Sequence, residues 1–213
     1  LFLRSLTSTI YPGAQILGFH LEGPFLSITG ALPPDALGNA DLDRVNRLIA
    51  ATQPYKAIFS ISPEFPSIKN LLPAMTAHQT PAFITHTRAN VWQTLEAIQA
   101  GACHATHFYD VFYAPEAIEP GVRPCGAVEA ILANQQTTVD FILDGVHVDP
   151  IAVKMALQAK GKDGVCLITD ANIGAGLGAG TYQFGGQEVK VAAHGAPARL
   201  AQSNGLAGSG LTM

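Results

Sequence analysis

The chain has 213 residues, of which 48% are hydrophobic and only 13% charged, and its formal net charge is -4. That length supports one large domain with a substantial core, and so low a charged fraction predicts strands covered on both faces or membership of a larger body. No block of basic residues and no apolar run of membrane-spanning length occurs, so neither nucleic acid nor a membrane is an expected partner.

The first residues, "LFLRSLTSTIYPGAQIL", lack a basic start followed by an unbroken apolar stretch, so no signal peptide is expected. The chain starts at Leu1 and stops at "GSGLTM" with no closing element, and the expectation is that both ends are cut. A strand is predicted over Ala14–His20, then a helix over Asp41–Ala51 with Leu42, Val45, Leu48 and Ile49 at helical spacing. A strand over Ala57–Ile61 and a weaker helix over Pro66–His78 follow. Next come a strand over Ala82–His86, a helix over Ala89–Ala100 and a strand over Ala102–His107. A short helix over Gly126–Ala133 leads to a strand over Thr138–Leu143. Asp149–Lys160 reads as a helix started by Pro150 and stopped by Gly161, before a last strand over Val165–Thr169. Six strands alternating with five helices predict a parallel α/β sheet.

After Asp170 the pattern changes. "ANIGAGLGAG" is a glycine-rich connection that lacks G-x-x-x-x-G-K-[ST], so it is not a phosphate loop. "TYQFGGQEVKV" reads as a hairpin with a Gly-Gly turn, and residues 181–195 are expected as a hairpin insertion in a single barrel domain over 1–213. "LAGSGLTM" reads as a loop entering a helix. Cys103, Cys125 and Cys166 show no CxxC spacing, and buried thiols in a reducing compartment are expected.

Glu22, Glu64, His86, His107, His147 and Asp170 each fall at or just after the C-terminal end of a predicted strand. In an eight-stranded α/β barrel that edge carries the active site, and in an open doubly wound sheet it carries ligands at one crevice. Ligand-type groups at nearly every strand end fit a closed ring better. Taken singly, each has a plain structural reading: a hydrogen-bonded rim histidine, a turn or cap aspartate, an exposed glutamate. Together, one Glu and two His with an open position form a sound catalytic zinc set, and the same donors also suit Fe²⁺, Co²⁺ or Mn²⁺. His20, two residues before Glu22, is expected to orient that carboxylate. His104 is expected outside the ring, and His78 and His194 in solvent.

"GFHLEGPFL", "THTRAN", "ATHFYDVF", "DGVHVDP", "LITDA" and "LAGSGLTM" occur in the order found in the N-acetylglucosamine-6-phosphate deacetylases of the amidohydrolase superfamily, and the chain resembles that family from about Gly18 to Met213. The resemblance implies a partial (β/α)8 TIM barrel, its strands the third to the eighth. It implies Glu22, His86 and His107 as ligands of a divalent metal, most simply zinc, and Asp170 as the catalytic acid and base. His147 is implied to touch substrate, with Ala31, Asp110, Val111, Leu206, Ala207 and Gly208 lining the sugar site. The implied protein is a cytoplasmic, homodimeric hydrolase of amino sugar metabolism that removes an acetyl group. A related amidohydrolase acting on another N-acyl or cyclic amide, and a non-catalytic remnant, stand as alternatives. Leu32, Asp110–Phe112 and Ile118 replace the family's His, Asn-Ala-Met and Arg, and Arg123 is a candidate substitute for the last.

Overall fold

The computed structural model describes residues 15–77 and 79–212. Six strands form one parallel sheet in sequential order: β1 Gly18–Leu21, β2 Lys56–Ile61, β3 Ala82–Ile84, β4 Ala102–Ala105, β5 Thr138–Ile142 and β6 Val165–Ile168. Parallel neighbours need a crossover, and each of the five contains a helix: α1 Leu42–Thr52, α2 Ile68–Thr76, α3 Val91–Gln99, α4 Ala127–Ala133 and α5 Pro150–Lys160. The sheet curls into part of a (β/α)8 barrel, as the alternating pattern predicts.

Local chemistry marks the helix boundaries. Asp41 caps α1 by accepting from the Arg44 backbone N–H at 2.7 Å. Asn90 and Gln93 form a reciprocal capping box on α3. Asp149 caps α5, Pro150 opens it and Gly161, at φ 70°, follows its last turn. The convex face of the sheet carries the core. Phe59 and Ile61 of β2, Ile84 of β3 and Val139 and Phe141 of β5 are fully buried there with Leu72 and Met75 of α2 and Ile131 of α4. The concave face is more polar, with His20, Ser60, His104 and Asp140 among its residues.

The structure corrects several expectations. Ala14, where the first strand was expected to open, lies outside the described residues, and β1 runs to Leu21, so His20 is inside it. β3 and β4 stop two residues short of His86 and His107, because those two histidines leave the extended region for φ 48° and 35°. His104 therefore stands on the concave face. Counting alternate faces from His104 to His107 fails because the chain is no longer a strand at His107. The three cysteines are exposed, not buried. Cys103 falls at the register shift between β3 and β4, where alternation is lost, and Cys166 is on the edge strand β6. The expected position of His78 lies outside the described residues, while His194 is exposed as expected.

Beyond β6, β7 Gly180–Phe184 and β8 Gln187–Val191 form the expected antiparallel hairpin about Gly185 and Gly186, both at positive φ. A third strand, β9 Ala198–Leu200, pairs with β8 and was not legible in the sequence. These strands enclose a small core of Val189, Val191, Ala198 and Ala207, packed against Ala31, and Gln187 Nε2 donates to the Ala31 carbonyl at 2.9 Å. The segment after β9 remains a loop through Thr212, tied back by pairing of Ser209 with Ala171, and no helix is seen there among the described residues. No described helix is long and apolar enough to cross a membrane.

Phe59 packs its ring 6.1 Å from that of Phe25 with no exposed surface. Phe59→Ala is expected to cost about 3–5 kcal/mol of stability, read from the denaturant midpoint at constant slope.

Candidate metal centre

Parallel strands all end on the same rim, so residues at their C-terminal ends can face one another. Glu22 follows β1, His86 follows β3 by two residues and His107 follows β4 by two residues. Glu22 Oε1 lies 3.0 Å from His86 Nε2 and 2.9 Å from His107 Nε2. The three residues can each offer one ligand atom, all within 4.8 Å of one another. Both imidazoles are buried and the carboxylate is partly so.

The surroundings fix the rings. His86 Nδ1 lies 2.8 Å from the Ile28 carbonyl, which can only accept, so Nδ1 carries a hydrogen and Nε2 is turned inward to Glu22. Ser62 Oγ donates to the His86 carbonyl at 2.8 Å and holds the turn after β3. Gly30, at φ 55°, lets the chain pass against that ring, since a Cβ there would stand 2.7 Å from His86 Cε1. His107 Nδ1 faces the Asp110 carbonyl at 3.3 Å, and Thr85 Oγ1 lies 3.1 Å from its Nε2. Two ring nitrogens and a carboxylate oxygen thus converge on one point, an arrangement that needs a proton or a cation between them. Burial alone disfavours charge on His107, but Glu22 outweighs it and pushes the His107 pKa up to about 9. Burial likewise disfavours charge on Glu22, yet hydrogen bonds from His107 and His86 hold it well below the usual carboxylate range. A set of two imidazoles and one carboxylate, each oriented by its neighbours, fits a divalent cation.

A cavity of about 330 Å³ opens beside this cluster. Of the expected sugar-site residues, Ala31, Asp110, Val111, Leu206, Ala207 and Gly208 all line it, and so does Asp170. Asp170 follows β6 at φ 44°, and burial raises its pKa, with His107 acting in the opposite direction. Gly208 packs against it, since a Cβ there would stand 2.8 Å from the Asp170 carbonyl oxygen. His147 is not part of the lining. It is buried, its Nδ1 is 2.7 Å from Asp144 Oδ2, and its Nε2 has no hydrogen-bond partner among the described residues.

 The segments "HLEGPF", "THTRAN", "DGVHVD" and "TDA" carry Glu22, His86, His147 and Asp170. The N-acetylglucosamine-6-phosphate deacetylase of Bacillus subtilis is 35% identical over 203 residues, which is 94% of this chain and 49% of the relative. A crystallised N-acetyl-D-glucosamine-6-phosphate deacetylase of Mycobacterium smegmatis, a D267A mutant in complex with N-acetyl-D-glucosamine-6-phosphate, superposes with a TM-score of 0.81 at 32% identity, covering 92% of this chain and 50% of that one. The chain is a homologue of the N-acetylglucosamine-6-phosphate deacetylases. The N-acetylgalactosamine-6-phosphate deacetylase of Escherichia coli O157:H7 is also similar, 33% identical over 204 residues, 95% of this chain and 52% of the relative. The chain spans about half the length of the curated relatives it matches. No family model matches it.

Where the chain departs from the deacetylase motifs, the structure gives each residue a place. Leu32 and Asp110 line the cavity, whereas Ile118 is 96% exposed. Arg123, expected as a substitute for the missing arginine, is outside the lining and pairs with Glu129 at 2.8 Å. No lysine or arginine lines the cavity among the described residues. His20 does not orient Glu22 as expected. Its Nε2 is 2.6 Å from Ser60 Oγ, because on a strand it points across the concave face to β2. Glu64 accepts from Thr87 Oγ1 at 2.6 Å and from the Arg88 N–H at 2.8 Å, so it braces the turn after β3. Sequence reasoning missed Ser62 and Gly30, which hold and border His86, and Asp140, which accepts from the His107 N–H. The glycine and the serine give no signal of their own, and Asp140 was hidden inside an apolar strand.

Because the cation-free His107 is protonated up to about pH 9, an incoming ion has to displace that proton. Zn²⁺ titrated into the metal-free chain at pH 7 is expected to release about one proton per ion. Apparent affinity is then expected to rise about tenfold per pH unit towards pH 9 and to level above it, as measured by chelator competition.

Proposed function

We propose that this chain carries the catalytic centre of a metal-dependent deacetylase that converts N-acetylglucosamine 6-phosphate to glucosamine 6-phosphate and acetate. The convergence of Glu22, His86 and His107 beside a cavity that also holds Asp170 carries this reading. The likeness to deacetylases over most of the chain supports it. In this reading the three residues hold one divalent cation, with zinc the best match to a nitrogen and oxygen donor set and iron, cobalt and manganese as alternatives. A cation held by Glu22, His86 and His107 would supply Lewis acidity and ease loss of a proton from water near neutral pH.

The chain's own residues do the rest. Asp170 takes the proton of the attacking water as general base and returns it to the departing amine. Its raised pKa makes it the better proton acceptor once ionised. His147, held by Asp144, stands outside the cavity lining with its Nε2 unpartnered, and the reading assigns that nitrogen to the negative charge developing on the acetyl carbonyl oxygen. Ala31, Asp110, Val111 and the Leu206–Gly208 segment bound the sugar, and the cavity volume lies at the small end of ligand sites. The cavity itself offers the phosphate no lysine or arginine among the described residues. The reading takes the enzyme as a homodimer, with the exposed loop 116–123 as the place where a second protomer meets the substrate. Exposed free thiols suit a cytoplasmic setting for such an enzyme.

Asp170→Asn is expected to lower turnover by about 10²–10⁴-fold while bound metal persists, as measured by acetate release alongside metal analysis. Wild-type turnover in that variant would remove Asp170 from the chemistry. Chelation is expected to abolish acetate release, and added Zn²⁺ to restore it. N-acetylglucosamine 6-phosphate is expected to outrun unphosphorylated N-acetylglucosamine, and the reverse order would favour a related N-acyl substrate.

A further inference from the structure

We infer that Asp140 and His104 form a positioning device for the ligand His107, set beneath the rim on the concave face of the sheet. Asp140 lies in β5 and is buried. One carboxylate oxygen, Oδ1, accepts from the His107 backbone N–H at 2.5 Å. The backbone carbonyl of the same residue accepts from the Phe108 N–H at 2.9 Å. Asp140 thereby grips two successive peptide N–H groups at the point where the chain leaves β4. That grip falls where it is needed, because His107 sits at φ 35°, a strained region for a side-chain-bearing residue that persists only where its surroundings enforce it.

The second carboxylate oxygen is also committed. Oδ2 accepts from His104 Nε2 at 2.8 Å, and His104 Nδ1 is 2.6 Å from Thr138 Oγ1. The Phe83 ring lies against the His104 ring at 4.3 Å between centroids. His104 is buried, so its imidazole has no solvent to turn towards and holds Asp140 in one rotamer. The chain of contacts runs from Thr138 through His104 and Asp140 to the backbone of His107, whose Nε2 faces Glu22. A carboxylate held this way fixes where the His107 ring stands relative to Glu22 and His86. Neither residue reaches the ligand cluster with its own side chain, so their effect passes through His107.

This inference rests on the metal reading above, and the experiment separates the two. Zn²⁺ affinity is measured by competition with a chromophoric chelator for the wild type, Asp140→Ala, His104→Leu and His104→Gln, and the Co²⁺-loaded forms are compared by visible absorption. Asp140→Ala is expected to bind Zn²⁺ about 10–100-fold more weakly and to show an altered Co²⁺ spectrum. His104→Leu is expected to shift both in the same direction. His104→Gln keeps a donor for Asp140 and is expected to recover most of the loss. A residue that only stabilised the fold would lower the melting temperature and leave the Co²⁺ spectrum of the folded protein unchanged. A folded Asp140→Ala with wild-type affinity and spectrum overturns the inference while leaving the metal reading intact. Should Asp140→Ala not fold, wild-type behaviour in His104→Leu overturns it equally. A wild-type chain that binds no Zn²⁺ overturns the metal reading and this inference together.

Discussion

The candidate site depends on a backbone conformation that most side chains avoid. His86, His107 and Asp170 each stand just past the end of a parallel strand, at φ 48°, 35° and 44°. A strand that simply continued would send alternate side chains up and down its two faces. A single left-handed residue instead turns the side chain over the rim towards the barrel axis. Three such turns on three strands bring imidazole, imidazole and carboxylate around one cavity. Strain of this kind persists only where neighbouring groups enforce it.

Those neighbours are polar and come from the adjacent elements. Ser62 at the end of β2 holds the carbonyl of His86, Asp140 of β5 holds the N–H of His107, and the Ser209 N–H donates to the Asp170 carbonyl at 2.8 Å. Each clamp reaches across to a different segment. The apolar packing on the convex face and the polar contacts on the concave face therefore have separate tasks. The first keeps the strands in order, and the second sets the conformation of their ends. Such a division explains how a sheet this apolar on one side tolerates buried Asp140 and His104 on the other: each finds partners within the network.

Much of this was legible in the sequence, and the reasons differ by residue. Alternating strand and helix patterns located the six parallel strands because apolar periodicity reports burial directly. Glu22, His86, His107 and Asp170 stood out because ionisable groups at the ends of apolar runs are unusual. His104 was misplaced because face counting assumes an extended backbone, and His107 breaks that assumption. His20 was misassigned because the nearest residue in sequence is not the nearest across a parallel sheet, where Ser60 on β2 is in reach. β9 escaped because three residues, Ala198–Leu200, carry too little pattern to distinguish a strand from a loop.

The sheet described above ends in two strands, β1 and β6, that each pair on one side only among the described residues. Unpaired N–H and C=O groups along such an edge are a template for any other extended chain. Leu17 beside β1 is 74% exposed and Leu167 within β6 is 61% exposed, so both edges add apolar surface to that template. Each strand is only four residues long, which limits how many bonds an intruding strand can gain. Glu22 and Asp170 stand just past the ends of these same two strands, so whatever covers either margin also borders the rim where the chemistry is placed.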